Sequence, residues 1–544
     1  MDNNTTKRNQ YIAITLLAGF FYRLLISLQG IDHTDLGFSN TFYQNIFTHP
    51  DAMPYYFNYY LTGLVGGLWY QLLGFTGVLG FRLLEALVLT ASIFFVYKAF
   101  ERQVHNTRSI VIAVAGSFFF PAIVTTFHYN TLTLFCLSLA AWCYARSLYG
   151  RQLLWTYMSG LVLGFCFFVR TGNGALVLLL FIPVVYALAT SQRSLIIRLG
   201  GTMLGGMLTA CAIIFSIMAV LGHLGYFVAG LDEVLGYYSD KGILSSLGML
   251  LAIYLKSYVN ILLQMLALVG LGALYLQGSR LNNSWSGPLG ILLIIASIVL
   301  IATSLPYLSA LALYTLLCIP ILYAITPKED KLIAVFVMAG TYIYPFGSEN
   351  GIASIFHWTA ALLIIPAAIG VYHTSRIVRR GVLICSIYIG AVMLWRAIPY
   401  TYGEETPRWE STERIGNSML NTFISQDKAE DYRHILPIIN KYKYSNTNIP
   451  WLLLGNQAAE LYYATETLPF LGTTQLKTFT GAALYRRLEQ QSEKHHCLPV
   501  VVFLKKQHFI TSKTAQVQQQ IHQWMVQHNY HVVYDDAYLT VFDI

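Results

Sequence analysis

The chain has 544 residues, of which 56% are hydrophobic and only 11% are charged, and its mean hydropathy is +0.53. Soluble domains carry about 25% charged residues, so this composition excludes an ordinary soluble fold and predicts a polytopic membrane protein. The net charge of +8 does not indicate a nucleic-acid partner, because the basic residues fall in short loops rather than in one patch.

Apolar segments long enough to cross a bilayer, which takes about 20 residues, recur along most of the chain. We predict about thirteen spanning helices, near residues 11–29, 77–97, 109–127, 129–147, 155–170, 174–191, 199–222, 251–276, 287–304, 306–325, 332–347, 351–372 and 381–399. Six of the seven cysteines lie in these runs, which leaves no disulfide framework or metal-ligand spacing.

Beyond residue 400 the chain becomes charged and mixed in composition. Periodicity predicts helices near 429–441, 474–494 and 512–528, strands at 451–454 and 499–504, and a final hairpin that turns at Asp535-Asp536. Strands that alternate with helices indicate a small α/β domain. We therefore divide the chain into a membrane module, residues 1–399, and a C-terminal domain, residues 400–544.

The distribution of lysine and arginine predicts the orientation in the membrane. When the spans are threaded alternately, one side collects Lys7, Arg8, Lys98, Arg102, Arg108, Arg146, Arg151, Arg193, Arg198, Arg280, Lys328, Lys331, Arg376, Arg379 and Arg380. The other side has only Arg82, Arg170, Lys241, Lys256 and Arg396. Since basic residues favour cytoplasmic loops, we predict a multi-pass protein of the cell inner (plasma) membrane with a cytoplasmic N-terminus and an extracytoplasmic C-terminal domain.

The stretch from Gln29 to Arg82 is predicted to lie on the outer side, between the first two spans. It holds three carboxylates and no lysine or arginine before Arg82. Pro54 is a favourable first-turn residue, and the aromatic and aliphatic run after it recurs with helical period. We predict interfacial helices within residues 30–76 that contact membrane lipids and hold the acidic turn Asp32-His33-Thr34-Asp35 at the membrane surface.

Asp35 is the candidate catalytic residue of this turn. Its carboxylate could accept a proton from an acceptor hydroxyl or amine at the outer face, provided that it lies within hydrogen-bond reach of that proton. The alternative is an ordinary solvated loop carboxylate. Asp32 and Asp51 offer the same chemistry with weaker placement.

Three arginines lie where the positive-inside rule does not expect them. Arg23 falls before the outer end of the first span, where a charge costs a few kcal/mol unless it snorkels or finds a partner. Arg82 and Arg170 lie near the outer surface, where an anionic ligand such as phosphate would explain them. The alternatives are an i,i+3 pair between Arg82 and Glu85, and a simple interfacial anchor for Arg170.

Further polar residues of the outer loops are candidates to line the same site. Asp32 and His33 belong to the acidic turn. His128 and Glu349 lie in short turns between spans, where a hydrogen-bonded turn residue is the alternative. Lys241 belongs to the stretch from His223 to Ser246, whose glycines and polar residues predict a mobile flap.

These segments resemble the GT-C superfamily of membrane glycosyltransferases, and within it the protein O-mannosyltransferase and aminoarabinose-transferase branch. The residues that carry the resemblance are Arg23 in the first span, Asp32 to Gly37, Pro54-Tyr55-Tyr56, Phe81-Arg82-Leu83-Leu84, Gly160 to Gly164 and Phe168-Val169-Arg170. The resemblance covers the first part of the chain by motif and the rest only by topology. Asp35 is followed by leucine and glycine where many members have an acidic pair, and the family's His-Pro-Pro segment is missing before the surface helix.

The resemblance implies a GT-C fold and an inverting hexosyl- or pentosyltransferase of cell-envelope glycan biosynthesis. Such an enzyme takes a sugar from a polyprenyl-phosphate donor and gives it to a glycan, lipid or protein acceptor. The catalytic role carries over to Asp35, and donor phosphate binding carries over to Arg82 and Arg170. No cofactor is indicated with certainty, and a divalent metal ion is left open. Two alternatives also stay open, a polysaccharide polymerase or ligase and a transporter of lipid-linked glycans.

Overall fold

The computed structural model describes residues 3–31, 35–103, 107–118, 126–150, 152–189, 196–238, 247–256, 331–346, 399–401, 406–445, 449–455, 458–474, 482–506 and 512–544, together with residues 245, 259, 348 and 354. In chain order its helices are α1 (Asn3–Ile26), α2 (Asp35–Asn45), α3 (Tyr60–Leu73), α4 (Val78–Phe100), α5 (Thr107–Ser117), α6 (Tyr129–Gly150), α7 (Leu153–Val169), α8 (Phe181–Ala189), α9 (Thr202–Val220), α10 (Leu224–Tyr238), α11 (Lys331–Ile343), α12 (Gln426–Ser445), α13 (Ala459–Thr465), α14 (Ala482–His495) and α15 (Ser512–Gln527). The strands are β1 (Glu413–Arg414), β2 (Phe423–Ile424), β3 (Trp451–Leu454), β4 (Val500–Leu504), β5 (His531–Asp535) and β6 (Leu539–Asp543).

Four helices of the described residues are long and apolar enough to cross a bilayer. They are Thr6–Ile26 within α1, Val78–Phe100, Tyr129–Gly150 and Arg198–Val220, which includes α9. The prediction of a polytopic α-helical membrane protein with a small C-terminal sheet domain is confirmed. The number of about thirteen spans stays a prediction. The predicted spans 287–304 and 306–325, all of 351–372 except residue 354, and most of 251–276 and 381–399 lie outside the described residues.

Helices α7 and α9 approach each other so closely that their backbones touch. A Cβ at Gly160 would overlap the carbonyl oxygen of Met203, and a Cβ at Gly206 would overlap the carbonyl oxygen of Tyr157. Small residues at these positions let two spanning helices pack at short distance, where van der Waals contacts are the main stabilising force in lipid. The segment Gly160 to Gly164 is therefore a helix-packing surface.

We expect Gly206→Ala to destabilise the protein by about 1–3 kcal/mol, because the added methyl group has no space between α7 and α9. Gly205 is the matched control, since a Cβ at this neighbouring residue would meet nothing within 4 Å. Thermal unfolding in detergent should show a lowered midpoint for Gly206→Ala only. Equal midpoints for the two variants would show that the helices separate readily.

Residues 27–31 and 35–77 cover one end of the membrane helices, which we call the loop side. After Pro54 the chain forms a 3₁₀ helix over Pro54–Tyr59 and then α3, so the helix predicted after this proline is confirmed. Asp35 differs from its prediction, because it is the first residue of α2 and not part of a turn. The helix forms because it is packed on both sides, against α3 through Phe42 and Gly63 and against the start of α13 at Gly37.

The C-terminal domain contains a four-stranded mixed sheet with the order β3-β4-β6-β5. Strands β3 and β4 are parallel, and β6 is antiparallel to both β4 and β5. The predicted strands, the helices near 429–441 and 512–528 and the final hairpin are confirmed, while the two-stranded sheet β1-β2 and the short helix α13 were not predicted. The helix predicted near 474–494 is confirmed from Ala482 onward, and residues 475–481 lie outside the described residues.

The two faces of this sheet pack against different partners, since side chains alternate along a strand. Trp451 and Leu453 of β3 belong to the core that includes α12, α13 and the loop side. Leu452 and Leu454 belong to a separate core with α14 and α15. Helices α14 and α15 therefore lie on the face of the sheet opposite to α12 and α13.

The C-terminal domain is attached to the loop side by main-chain hydrogen bonds. Gly30 N donates to Phe423 O at 2.7 Å, Phe423 N donates to Leu28 O at 2.9 Å, and Val78 N donates to Met419 O at 2.9 Å. The side chain of Arg487 in α14 also pairs with Glu233 in α10 at 2.7 Å. Through these contacts the C-terminal domain packs on the loop side. The domain boundary at residue 400 stays a prediction.

Helix α10 replaces part of the predicted flap. The flap prediction is wrong for residues 224–238, which form a helix packed on Pro54–Tyr59, with Asn58 Nδ2 donating to Gly230 O at 2.7 Å. A side chain at Gly230 would crowd the carbonyl oxygen of Pro54, so the glycine allows the close approach. Gly230 therefore serves close helix packing and does not indicate a mobile segment.

Candidate functional site

Four segments that are far apart in sequence meet on the loop side. They are the 3₁₀ helix Pro54–Tyr59, the turn before α6 at His128, the residues after α7 from Arg170 to Asn173, and the turn after α11 from Tyr344 to Phe346. Tyr59 stacks on Tyr129 with ring centroids 4.6 Å apart, and Thr171 Oγ1 donates to Asn58 Oδ1 at 3.3 Å. The predicted site residues Arg170 and His128 both lie in this cluster.

Arg170 is a buried cation at the centre of these segments, with 6% of its surface exposed. Its Nη2 donates to Phe346 O at 2.6 Å. The guanidinium lies over the rings of Tyr129 and Tyr344, 5.8 and 5.7 Å from their centroids, which is cation–π distance. A guanidinium has five N–H groups, and Nε of Arg170 has no hydrogen-bond partner among the described residues. Arg170 therefore keeps donor capacity for a further acceptor.

Gly172 explains how the guanidinium fits into this position. A Cβ at Gly172 would lie 3.0 Å from Nε and 3.1 Å from Nη2 of Arg170, and 3.2 Å from Phe346 O. The side chain of Arg170 thus folds back over a residue that has no side chain of its own. The residues after Arg170 form a 3₁₀ helix that starts at Thr171, with Asn173 N donating to Arg170 O at 2.9 Å.

His128 is buried beside Tyr129, at the start of α6. Its Nδ1 and Thr131 Oγ1 are hydrogen-bonded at 2.9 Å. Burial lowers the pKa of His128 to about 3, because desolvation disfavours the charged imidazolium. The ring is therefore neutral at physiological pH and can contribute hydrogen bonds but not positive charge to the cluster.

Aromatic contacts connect the first turn of α2 to Arg170. Phe38 meets Tyr59 edge to face with centroids 5.7 Å apart, Tyr59 stacks on Tyr129, and Tyr129 lies under Arg170. Phe38 lies three residues, or nearly one helical turn, after Asp35, the first residue of α2. Helix α2, which begins with the candidate base Asp35, is thus packed together with Arg170, the candidate residue for binding the donor phosphate.

Arg82 is buried in α4 and holds the beginning of the loop side. Its guanidinium donates to the carbonyl oxygens of Ser27 and Gly30, the latter at 2.6 Å. Gly30 has a φ of +79°, a conformation that favours glycine. Arg82 thus fixes the segment that leads into residues 32–35, and its predicted contact with a donor phosphate stays a prediction.

Glu85 forms its hydrogen-bonded ion pair with Arg23, whereas Arg82, its neighbour one helical turn earlier, donates to Ser27 and Gly30. Arg23 Nη2 lies 2.8 Å from Glu85 Oε1, and both side chains are almost fully buried between α1 and α4. Arg23 is therefore accommodated within the first span by an ion pair with Glu85 and not by snorkelling to the membrane surface.

Several predicted site residues fall outside the described residues: Asp32, His33, Lys241 and Glu349. No group of three or more histidine, cysteine, aspartate or glutamate side chains that could hold a metal ion is present in the part of the chain that the structure describes. The catalytic and ligand roles of all predicted site residues stay predictions.

Asn58 is a residue of this cluster that sequence reasoning missed. Its Nδ2 donates to Tyr55 O and to Gly230 O, each at 2.7 Å, and its Oδ1 accepts from Thr171. Asn58 therefore joins the first loop, α10 and the residue after Arg170. The sequence feature that could have revealed Asn58 is its position as the single amide side chain within the aromatic run Tyr55 to Tyr60.

Comparison with known proteins agrees with the resemblance seen in the sequence. Residues 61–220 match the family model for dolichyl-phosphate-mannose-protein mannosyltransferase. No curated protein matches the chain. Among solved structures, it is similar to the crystal structure of ArnT from Cupriavidus metallidurans bound to undecaprenyl phosphate, with a TM-score of 0.41 and 13% identity over 99% of this chain and 98% of that chain. The matched segment contains Arg82, His128 and Arg170, and over these residues the resemblance to protein mannosyltransferases seen in the sequence is confirmed.

Proposed function

We propose that this protein is an inverting glycosyltransferase that transfers a sugar from a polyprenyl-phosphate donor to a glycan, lipid or protein acceptor on the loop side of the membrane. The observation that carries the proposal is Arg170, a buried cation on the loop side that keeps an unused N–H group within the segment matched by the mannosyltransferase family. Buried charges are costly unless they have a use or a partner, and a phosphate supplies the missing acceptor.

In the proposed reaction, the carboxylate of Asp35 accepts the proton of the acceptor hydroxyl or amine. The acceptor atom forms a bond to the anomeric carbon, and the bond from that carbon to the phosphate oxygen breaks with its electron pair. Polyprenyl phosphate leaves with this added negative charge, which Arg170 stabilises through a charge-assisted hydrogen bond. Attack from the side opposite to the leaving phosphate inverts the anomeric configuration.

The roles of the other residues follow from their contacts. Arg82 holds the segment before residues 32–35 through Ser27 and Gly30, and a phosphate ligand role for Arg82 would require it to exchange one of these carbonyls for the donor. Neutral His128 lines the cluster as a hydrogen-bonding group. Asp32, His33, Lys241 and Glu349 remain candidates to line the site.

Incubation of the purified protein in lipid vesicles with a radiolabelled pool of lipid-linked sugars tests this function. A transferase releases free polyprenyl phosphate and moves the label to an acceptor in the same membrane extract. A heat-inactivated sample should release none. If the label stays on the lipid carrier with every donor of the pool, the transferase proposal fails.

We expect Arg170→Ala to weaken apparent donor affinity about 10- to 100-fold, because a charge-assisted hydrogen bond to phosphate is worth about 1.5–3 kcal/mol. Arg146→Ala is the control, since Arg146 also lies over an aromatic ring, that of Trp155 at 5.3 Å, but has no predicted ligand. Donor titration of the transfer rate measures both. A normal donor KM for Arg170→Ala would reduce Arg170 to a structural residue.

A further inference from the structure

We propose that Trp409 and the segment around it form a membrane-interface anchor, through which the C-terminal domain contacts lipid headgroups and the adjoining acyl chains. This surface lies outside the donor site, and nothing in the proposed reaction requires it. Its first support is a contact between Arg408 and the end of the first spanning helix.

Arg408 lies at the C-terminal end of α1, although 382 residues separate it from its partner there. Its Nη1 donates to Ile26 O at 2.5 Å, and Ile26 is the last residue of α1. The last carbonyl groups of a helix have no partners within the helix and carry partial negative charge, so a guanidinium is favourable there. Gln29 Nε2 donates to Arg408 O at 3.0 Å and fixes the same segment from the other direction. The position of Trp409 is thus fixed relative to a spanning helix.

The lipid-facing side of α1 leads directly to this point. Large exposed apolar side chains recur along α1 and just beyond it with helical spacing: Tyr11, Ile14, Leu17, Phe21, Leu25 and Leu28. An apolar stripe on a spanning helix faces lipid when no other helix covers it, and none of the helices in the described part of the chain covers these side chains. Leu28, the last residue of the stripe, pairs with Phe423 of β2 through the backbone. The stripe therefore ends at the C-terminal segment that carries Trp409.

Trp409 extends this exposed surface, and its residue type and exposure are typical of a membrane-interface position. It is 65% exposed, although tryptophan is a residue that domains usually bury. Its neighbours are Arg408 and Glu410, so the position suits the headgroup level and not the hydrocarbon core. Tryptophan is enriched at this level of membrane proteins, because its ring is apolar and its N–H is polar.

A second exposed apolar group lies at the loop-side end of the neighbouring helix α4. Leu68, Leu72 and Phe75 are exposed at i, i+4 and i+7 along α3 and the turn after it. Phe75 is three residues before Val78, where α4 begins, and Asn421 Nδ2 donates to the adjacent Thr76 O at 2.8 Å. The segment 408–424 thus touches the loop-side ends of both α1 and α4 with exposed aromatic residues at each. This continuity identifies the bilayer surface as the occupant, and not a second protein.

Photo-crosslinking from single positions of the full-length protein tests the proposal. p-Benzoylphenylalanine is placed at residue 409, at residue 21 on the lipid face of α1, and at residue 526 in α15. Val526 is the matched control, because it is 66% exposed but lies on a helix of the opposite sheet face. The protein is irradiated in vesicles of phosphatidylethanolamine and phosphatidylglycerol, and phospholipid adducts are counted by mass spectrometry.

We expect adducts from positions 409 and 21 in comparable yield, and a yield from position 526 that is roughly tenfold lower. A yield from position 409 as low as that from position 526, in samples where position 21 reacts, would overturn the proposal. Crosslinks from position 409 to a second copy of the chain in place of lipid would also overturn it, because the surface would then be a protein interface.

Tryptophan fluorescence in vesicles with brominated lipids gives an independent measurement without the photoreactive residue. The difference between wild-type protein and Trp409→Phe isolates the emission of Trp409. Bromine near the headgroup end of the acyl chains should quench this emission more strongly than bromine near the chain end. A difference emission that neither lipid quenches contradicts membrane contact.

Discussion

An Asp35→Asn variant is expected to transfer sugar about 10²–10⁴ times more slowly than the wild-type protein while it still binds the donor. Asparagine has nearly the same size and keeps much of the hydrogen bonding of aspartate, but it cannot accept the acceptor proton. The structure places residue 35 at the start of α2, which is packed against α3 and α13, so the substitution should leave the loop side intact. Transfer rates at saturating donor measure the effect.

The other carboxylates of the same loop serve as controls. Asp51 is exposed in the short helix Pro50–Ala52, so Asp51→Asn should leave the transfer rate nearly unchanged. Asp32→Asn should lower the rate less than Asp35→Asn does. General damage to the loop would depress all variants alike. A variant Asp35→Asn with a normal rate beside an inactive Asp32→Asn would transfer the role of base to Asp32.

The second large effect concerns stability. We expect Glu85→Leu to destabilise the protein by about 3–5 kcal/mol, because it removes the carboxylate from the guanidinium of Arg23 in a fully buried position. The double variant Arg23→Met, Glu85→Leu should regain most of this loss, since replacing both charges by apolar side chains also removes their desolvation cost. Thermal unfolding in detergent and the yield of folded protein measure both variants.

Glu101 provides the comparison for an exposed ion pair close to the end of the same helix. It lies 3.0 Å from Lys98, and both side chains are partly exposed. Such pairs contribute about 0–1 kcal/mol, so Glu101→Leu should change the unfolding midpoint little. Equal losses for Glu85→Leu and Glu101→Leu would show that the buried pair does not hold α1 against α4.

Local patterns in the sequence were enough to predict the four long apolar helices of the described residues and the sheet domain. Apolar runs marked α4 and α6, and short apolar runs marked the buried strands β3 and β4, because these signals depend on neighbours in the chain. The position of helix α2 within the predicted range 30–76 escaped prediction for the opposite reason. Its polar residues Ser39, Asn40 and Thr41 are buried only because α3 and α13 cover them, and α13 is more than 400 residues away.

Two residues of the candidate site, His128 and Arg170, were named from the sequence, but the geometry of the site was not. Arg170 stands out in the sequence alone, because it departs from the positive-inside pattern. Arg170 contacts the rings of Tyr129 and Tyr344, and Glu85 forms its ion pair with Arg23 in α1. These contacts depend on which helices are neighbours. That arrangement is long-range, and no spacing within one segment encodes it.

Bond cleavage and lipid movement, measured in one proteoliposome sample, distinguish a transferase from a transporter. The donor carries a radiolabelled sugar, and both free polyprenyl phosphate and the side of the membrane that holds intact donor are followed with time. We expect a release of polyprenyl phosphate that depends on acceptor, is lost in Asp35→Asn and needs more donor in Arg170→Ala. Movement of intact lipid-linked sugar across the membrane without any release of polyprenyl phosphate would contradict the transferase function and identify a transporter.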